Sequence, residues 1–168
     1  VKGAKEVAVY LGTSSLGQGH ATSMAQICAD GLSMSMEGIN VLEGSTDLAS
    51  CGFGTFSSRS TVMAGNALYK ASQELKRKIL SISSAHLGTA EADLEYQDGV
   101  IHRRGDAEMV PLLHISDVIE LADQDDRAEG ERGLENTAYF ESELATFVYG
   151  THVAHVAVDP ETGQGEVI

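Results

Sequence analysis

The order of apolar and polar residues predicts alternating strands and helices in the first half of the chain. Residues 7–11 are rich in β-branched and aromatic side chains and end at a glycine, which is typical of a strand. In residues 22–32, apolar side chains recur at the spacing of one helix face. Residues 39–42 predict a second strand, and a loop rich in glycine and serine follows each strand.

Residues 60–80 predict a long helix. Its apolar side chains form one stripe, made of Met63, Ala67, Leu68, Ala71, Leu75 and Ile79. Three basic residues, 76–78, follow near the expected end of this helix, where cations interact favourably with the helix dipole.

The second half has a different pattern. Asp98-Gly99 between two apolar runs predicts a tight β-hairpin. Residues 115–122 predict a short helix capped by Ser116, and the charged, glycine-containing segment 123–133 predicts a loop. Alternation over residues 151–158 predicts a strand, and the Asp159-Pro-Glu-Thr-Gly163 sequence predicts a turn. We therefore expect an α+β fold: a strand–helix–strand–helix lobe over residues 1–88, then a smaller strand-rich portion over residues 89–168.

Composition and charge narrow the classes of partner. The net charge is −14 and the sequence pI is about 4.6, which disfavours nucleic acid because phosphate backbones are bound by Lys and Arg. No apolar stretch is long enough to predict a membrane span, and no secretory signal pattern opens the sequence. These features lead us to expect a cytoplasmic protein.

The cysteines and histidines do not form a metal motif. Cys28 falls on the apolar face of a predicted helix and is expected to be buried, whereas Cys51 is expected to be a free thiol in a loop. Neither cysteine has a second ligand at the spacing of a zinc or iron–sulfur site. His152 and His155 would point to opposite faces of the predicted strand, so they are not expected to chelate one metal.

Two loops precede helices and carry the candidate chemistry. The first loop, residues 13–19, ends in Gly17-Gln18-Gly19, which is followed by His20. Glycines allow a ligand to approach the backbone closely, and the helix N-terminus behind them favours anions. Neither a P-loop nor a dinucleotide-binding fingerprint is present. Taken alone, glycines in a strand-to-helix turn more often have only a structural role.

The second loop, residues 45–58, leads into the long helix with several hydroxyl groups and Arg59. Hydroxyls and one arginine at a helix start are typical of an anion-binding site. Alternatively, Ser58 or Ser60 only caps the helix. Loops from neighbouring strand–helix units gather at one edge of a sheet, so we expect the first and second loops to lie together.

These motifs resemble the large subunit of the molybdenum hydroxylases, the family of xanthine dehydrogenase, aldehyde oxidase and aerobic carbon monoxide dehydrogenase. The similarity extends over nearly the whole chain in the correct order. It is carried by Gly17-Gln-Gly-His20, the Ala25–Asp30 helix, Gly52-x-Gly-Thr-x-Ser-Ser-Arg-Ser60, Gly65-x-Ala67, Leu94-Glu-Tyr-Gln-Asp-Gly99 and Val153-Ala-x-Val-x-Val-Asp-Pro-Glu-Thr-Gly163.

The resemblance implies a molybdenum–molybdopterin cofactor, in the cytosine dinucleotide form that is common in bacteria. The pterin holds the metal in this family, so no metal-ligating residue is implied here. Gln18 would contact the pterin, and its neighbours would shape the turn. The second loop and the helix start would line the pterin or its phosphates. The implied cofactor-binding residues are Gly17, Gln18, Gly19, His20, Thr55, Ser57, Ser58, Arg59 and Ser60.

The resemblance also implies groups that this chain does not contain. In the family, the catalytic glutamate lies downstream of this region, and the loop that covers the metal lies upstream. The chain is therefore interpreted as a partial molybdopterin-binding domain (a fragment, a trimmed chain or one part of a split subunit) that is inactive alone. With the remainder of the subunit, and with iron–sulfur and FAD partners, it would hydroxylate a heterocycle, an aldehyde or a similar small substrate with oxygen from water.

Two hypotheses from other classes remain open. A non-catalytic anion- or nucleotide-binding module would use the same two loops for another phosphate ligand. A structural or assembly domain would use its glycines only for turns, and it would tolerate Gln18→Ala and Arg59→Ala.

Overall fold

A computed structural model describes residues 6–49, 51–52, 54–124, 133–144, 146–147 and 150–168. The fold is α+β, as predicted. Its helices are α1 (His20–Leu32), α2 (Gly65–Leu87) and α3 (Ile115–Gln124). Its strands are β1 (Val7–Leu11), β2 (Ile39–Glu43), β3 (Leu94–Gln97), β4 (Val100–Arg103), β5 (Leu113–His114), β6 (Val156–Val158) and β7 (Gly165–Val167).

Strands β1 and β2 are parallel and are connected by α1. Their register runs from Val7 opposite Ile39 to Leu11 opposite Glu43, so both strands end at the same edge. Parallel neighbours need a crossover connection, which α1 provides. This arrangement places the first and second loops beside each other.

The hydrophobic core is formed by side chains of β1, of the three helices and of the β3–β4 hairpin. One continuous apolar cluster contains Val9, Leu11, Met24, Cys28, Leu32, Leu68, Ile79, Ile82, Leu94, Tyr96, Ile101, Ile115, Val118 and Ala122. Cys28 is buried, as predicted, and burial raises the pKa of its thiol despite the opposing hydrogen bond from Ser72. The division at residue 88 stays a prediction.

Helices α1 and α2 approach each other closely at Gly31. A Cβ atom placed on Gly31 would lie 2.6 Å from the Ser72 Cβ, closer than side chains pack. The Ser72 hydroxyl donates to the Leu68 carbonyl at 2.8 Å, which satisfies it inside the helix pair. Glycine at position 31 therefore allows the crossover helix to pack against α2.

The long helix differs from its prediction at both ends. A π-helical turn, Ser60–Ala64, precedes α2, and α2 continues to Leu87, where Gly88 has a φ of 60°. The expected end near residue 80 was wrong because buried side chains continue beyond it, including Ile82. The basic residues 76–78 consequently lie within the helix, where the Lys76 Nζ donates to the Ser33 Oγ at 2.7 Å.

The predicted hairpin is confirmed. Strands β3 and β4 pair in antiparallel register on either side of Asp98 and Gly99, which have φ angles of 46° and 81°. Two consecutive positive φ angles suit a two-residue hairpin turn. The Asp98 Oδ1 also accepts a hydrogen bond from the Ser35 N–H at 2.7 Å and ties the hairpin to the end of α1.

The cap assigned to the third helix was wrong. Helix α3 begins at Ile115, so Ser116 lies inside its first turn. The Asp117 Oδ2 instead accepts from the His114 N–H at 2.9 Å, because a carboxylate in the first turn can reach back to the backbone that precedes the helix. In the predicted charged loop, residues 125–132 lie outside the described residues.

The last strand is shorter than predicted. Only Val156–Val158 pairs, with Gly165–Val167, whereas the preceding residues have irregular backbone. His152 and His155 are exposed and precede this strand, so the opposite-face argument for them was wrong. The predicted turn is present between the two strands. Its Thr162 hydroxyl donates to the Asp159 carboxylate at 2.8 Å, which lowers the pKa of Asp159.

None of the helices in the described ranges is both long and apolar enough to cross a membrane.

Candidate functional site

The first and second loops are joined through one threonine. The Thr55 hydroxyl donates to the Ser14 carbonyl at 2.5 Å, and it accepts from the Ser14 N–H at 3.4 Å. It also accepts from the Ser60 hydroxyl at 3.0 Å. One hydroxyl has one donor and two acceptor positions, so these three contacts use its full capacity. The prediction that the two loops lie together is confirmed.

The backbones of the two loops also touch. A Cβ atom on Gly52 would lie 1.9 Å from the Gly12 carbonyl oxygen, and one on Gly12 would lie 2.1 Å from the Cys51 carbonyl oxygen. Side chains do not tolerate such distances, so both positions require glycine. The neighbouring Cys51 is an exposed free thiol, as predicted.

The tip of the first loop leaves its backbone accessible. Gly17 and Gly19 have φ angles of 99° and 77°, and a Cβ atom on either would meet no atom within 4 Å. The Gln18 Oε1 accepts from the Leu16 N–H at 2.6 Å. Among the described residues, the Gln18 amide nitrogen has no acceptor. Two amide N–H donors at the loop tip are thus free for a ligand.

His20 begins α1 at the base of this loop. Its side chain is buried, and its Nδ1 lies 3.8 Å from the Glu43 Oε2, within ion-pair range but beyond hydrogen-bond distance. That nitrogen has no hydrogen-bond partner among the described residues. The Thr13 hydroxyl does donate to the same Glu43 oxygen, at 3.2 Å.

The serines before α2 do not act as helix caps. Ser57 and Ser58 are exposed and have positive φ angles of 51° and 57°. The residue that caps the π-helical turn is Arg59, and no side chain provides a capping hydrogen bond there. Ser60 is buried and donates to Thr55 instead. The capping interpretation of Ser58 and Ser60 was therefore wrong.

Arg59 is held beside an aromatic ring. Its guanidinium carbon lies 5.9 Å from the centre of the Phe56 ring, which is within cation–π range. The Arg59 N–H donates to the Phe56 carbonyl at 3.1 Å. The ring therefore lies beside this positively charged side chain, and the backbone turn keeps the two residues close together.

Among the described residues, no group of three or more His, Cys, Asp or Glu could hold a metal ion.

A cavity of about 1450 Å³ adjoins the place where the loops meet. Gly12, Thr13, Gly52, Arg59 and Ser60 line it at this end. Side chains of β1, α1 and α2 and the partly polar segment of residues 134–143 line much of the remainder. Of the nine predicted cofactor-binding residues, Arg59 and Ser60 reach the cavity. The other seven (Gly17, Gln18, Gly19, His20, Thr55, Ser57 and Ser58) do not line it.

The sequence analysis missed Thr13 and Glu43. Thr13 lies two residues after the end of the first strand, and Glu43 is the last residue of the second strand. A polar residue at the carboxyl end of each of two parallel strands is the signal that could have identified them, because those ends meet at one edge.

Comparison with known proteins identifies the family of this chain. Residues 2–168 match the molybdopterin cofactor-binding domain family. The chain belongs to this family. Its likeness to the large subunits of molybdenum hydroxylases, inferred from the loop motifs, is thereby confirmed.

Three relatives illustrate the relationship. The chain is 33% identical over 172 residues to the 6-hydroxypseudooxynicotine dehydrogenase complex subunit gamma of Paenarthrobacter nicotinovorans, covering 100% of this chain and 21% of that protein. It is 34% identical to the carbon monoxide dehydrogenase large chain of Hydrogenophaga pseudoflava, covering 94% and 19%. The quinoline 2-oxidoreductase structure from Pseudomonas putida 86 matches with a TM-score of 0.77 at 27% identity, covering 98% and 21%. The chain thus spans about a fifth of the length of these relatives.

The loop geometry fits a ligand with amide edges and phosphate groups. Gly17, Gly19 and Gly54 have positive φ angles and open space where a side chain would project. A flat ligand could therefore contact the backbone at these positions. The free Gln18 amide donors suit carbonyl or ring-nitrogen acceptors, and Arg59 suits a phosphate.

The importance of the Thr55 hydroxyl for the junction of the two loops can be tested by substitution. Thr55→Val removes the hydroxyl and leaves the polar groups of Ser14 and Ser60 without their partner. We expect a loss of about 1–3 kcal/mol in the free energy of unfolding, because unsatisfied half-buried polar groups carry a desolvation cost. Urea denaturation measures the change, and Thr55→Ser, which keeps the hydroxyl, is the control. An equal effect of the two substitutions would show that the hydroxyl does not join the loops.

Proposed function

We propose that the first and second loops hold the pterin and phosphate groups of a molybdenum–molybdopterin cofactor in an enzyme that hydroxylates a small substrate with oxygen from water. The observation that carries the proposal is the junction of the two loops through Thr55 in a member of this family. When bound, the cofactor supplies the two-electron oxidation and the activation of water. The residues of this chain bind and orient it.

Each candidate residue has a role in the proposal. Gly17, Gln18 and Gly19 present backbone and amide groups to the pterin, and Arg59 provides positive charge for a phosphate. Thr55 and Ser60 fix the second loop against the first. Ser57 and Ser58 are exposed hydroxyls close to Arg59. His20 shapes the base of the first loop from its buried position.

The finer assignments follow from the relatives. Their names indicate substrates that include carbon monoxide, quinoline and 6-hydroxypseudooxynicotine, so we propose a heterocycle, an aldehyde or a similar small molecule. One relative is named as the gamma subunit of a complex. This name supports the proposal of partner chains, in which we place iron–sulfur and FAD groups. We also propose the cytosine dinucleotide form of the cofactor and a cytoplasmic location.

The test is to measure molybdenum and pterin in the complete enzyme complex purified with Gln18→Ala or Arg59→Ala. We expect each substitution to weaken cofactor retention about tenfold or more, because a hydrogen bond to a charged group contributes about 1.5–3 kcal/mol. Thermal unfolding should remain close to that of the unsubstituted complex, since both side chains lie at the loops and outside the core.

Two matched controls separate loop effects from general effects. Gln97→Ala and Arg103→Ala remove the same side chains from exposed positions of the β3–β4 hairpin, and both should keep the normal molybdenum content. Unchanged molybdenum content in both loop variants would contradict the proposal. A complex that carries a nucleotide but no molybdenum would favour the anion-binding module instead.

A further inference from the structure

We propose that Glu43 is a positioning residue that holds both ends of the first loop. This inference rests on the proposed function, because the loop it positions is the one that carries Gln18. The Glu43 Oε2 accepts a hydrogen bond from the Thr13 hydroxyl at 3.2 Å. The same oxygen lies 3.8 Å from the His20 Nδ1. Thr13 begins the loop and His20 follows its last residue, so one carboxylate atom contacts both ends of the loop.

Glu43 is the last residue of β2, the strand that pairs with β1 in this two-stranded parallel sheet. Glu43 is paired in register with Leu11, the last residue of β1, two residues before Thr13. Residues 14–19 then extend away from the sheet, and the next residue, His20, lies again beside the Glu43 carboxylate. A residue of a paired strand thus contacts the base of a loop that is exposed over most of its length.

Burial makes these contacts stronger than those of a surface carboxylate. Thr13 and His20 are 8% and 5% exposed, and the Glu43 side chain is 12% exposed. Water competes poorly for a carboxylate in such a position, so its hydrogen bond with Thr13 and its attraction for His20 are stronger than they would be at the surface. In contrast, Gln18 at the loop tip is exposed, and its ordering depends on the base of the loop.

The buried ring nitrogen of His20 supports the same role for Glu43 independently of the Thr13 hydrogen bond. Its Nδ1 is buried and has no hydrogen-bond partner among the described residues. A buried polar atom without a partner is energetically costly, and the Glu43 oxygen lies 3.8 Å from this one. A small movement of the loop towards β2 would complete this hydrogen bond. The geometry therefore favours Glu43 as the group on which the loop closes.

The experiment follows backbone amide exchange in the complete enzyme complex, prepared with and without cofactor. In Glu43→Ala, we expect exchange of the hydrogen-bonded loop amides of Ser14 and Leu16 to rise about tenfold or more, since the hydrogen bond that holds the base of the loop is lost. We expect cofactor to dissociate faster by a similar factor. Glu43→Gln keeps an oxygen that can accept from Thr13, and it should restore most of both properties.

Two further variants sharpen the result. Glu108→Ala removes an exposed glutamate far from the loop in the sequence, and it should leave loop exchange and cofactor dissociation unchanged. Thr13→Val should raise loop exchange alone, but it should add nothing in the Glu43→Ala background, because both substitutions remove the same contact.

Each outcome separates this inference from the proposed function. Faster exchange that is confined to the loop, with rescue by Glu43→Gln, supports the positioning role. Unchanged loop exchange, or an equal rise throughout α1 and β2, overturns it, because the first excludes a contact and the second indicates general destabilisation. If Gln18→Ala loses cofactor while Glu43→Ala does not, the positioning role is wrong and the proposed function stands. If Glu43→Ala frees the loop while Gln18→Ala retains cofactor, the positioning role stands and the proposed function is wrong.

Discussion

Gly52→Ala is expected to lower the free energy of unfolding by more than about 3 kcal/mol. The added Cβ atom would lie 1.9 Å from the carbonyl oxygen and 2.5 Å from the carbonyl carbon of Gly12. Both are backbone atoms at the end of β1, so a change of rotamer cannot relieve the overlap. The two loops would have to separate, which would also break the contacts between Thr55 and Ser14.

Urea denaturation of Gly52→Ala and of a control variant, Gly150→Ala, measures this effect. A Cβ atom on Gly150 would meet nothing within 4 Å, and the backbone there does not have a positive φ. We expect the control to remain within about 1 kcal/mol of the unsubstituted protein. Equal unfolding free energies for the two variants would mean that the loops do not touch at Gly12 and Gly52.

Local patterns were sufficient to predict most elements of the first half. The β-branched run before Gly12 and the helical spacing around Met24 and Cys28 are short-range signals, and β1 and α1 agree with them. The Asp98-Gly99 turn was predictable for a similar reason, because few residues adopt two consecutive positive φ angles. Such features depend on neighbours in the sequence.

The contacts that hold the site together were not predictable in this way. Gly12 and Gly52 touch across 40 positions of sequence, and nothing local to either glycine distinguishes it from a turn glycine. Thr55 was predicted as a cofactor-lining residue, yet its hydroxyl is fully used between the loops. Glu43 resembles an ordinary strand end until the parallel register brings Thr13 and His20 to it.

Two deviations have a geometric cause. The π-helical turn Ser60–Ala64 is only five residues long and runs directly into α2, so the helical period of the sequence does not distinguish it from the α-helix that follows. The predicted strand over residues 151–158 has alternating residues throughout, but a strand needs a partner of equal length. Here Gly165–Val167 pairs with three of those residues.

Met24→Ala is expected to destabilise the protein by about 2–5 kcal/mol. Met24 is fully buried on α1, in the apolar cluster that connects this helix with β1 and α2. Truncation removes apolar contacts and leaves a cavity that the surrounding backbone cannot fill completely. The same change should also increase amide exchange at Ser23 and in the turn of α1 that follows it, because the hydrogen-bonded amides of the helix begin there.

Met36→Ala is the matched control, since Met36 is 43% exposed and outside the core. It should cost less than about 1 kcal/mol. Met24→Leu nearly conserves the buried volume, and it should recover most of the stability that alanine loses. Urea denaturation of the three variants distinguishes the causes. A similar loss of unfolding free energy for Met24→Ala and Met36→Ala would contradict the buried position of Met24. If Met24→Leu loses as much as Met24→Ala, the shape of the side chain, rather than its volume, limits packing between α1 and the sheet.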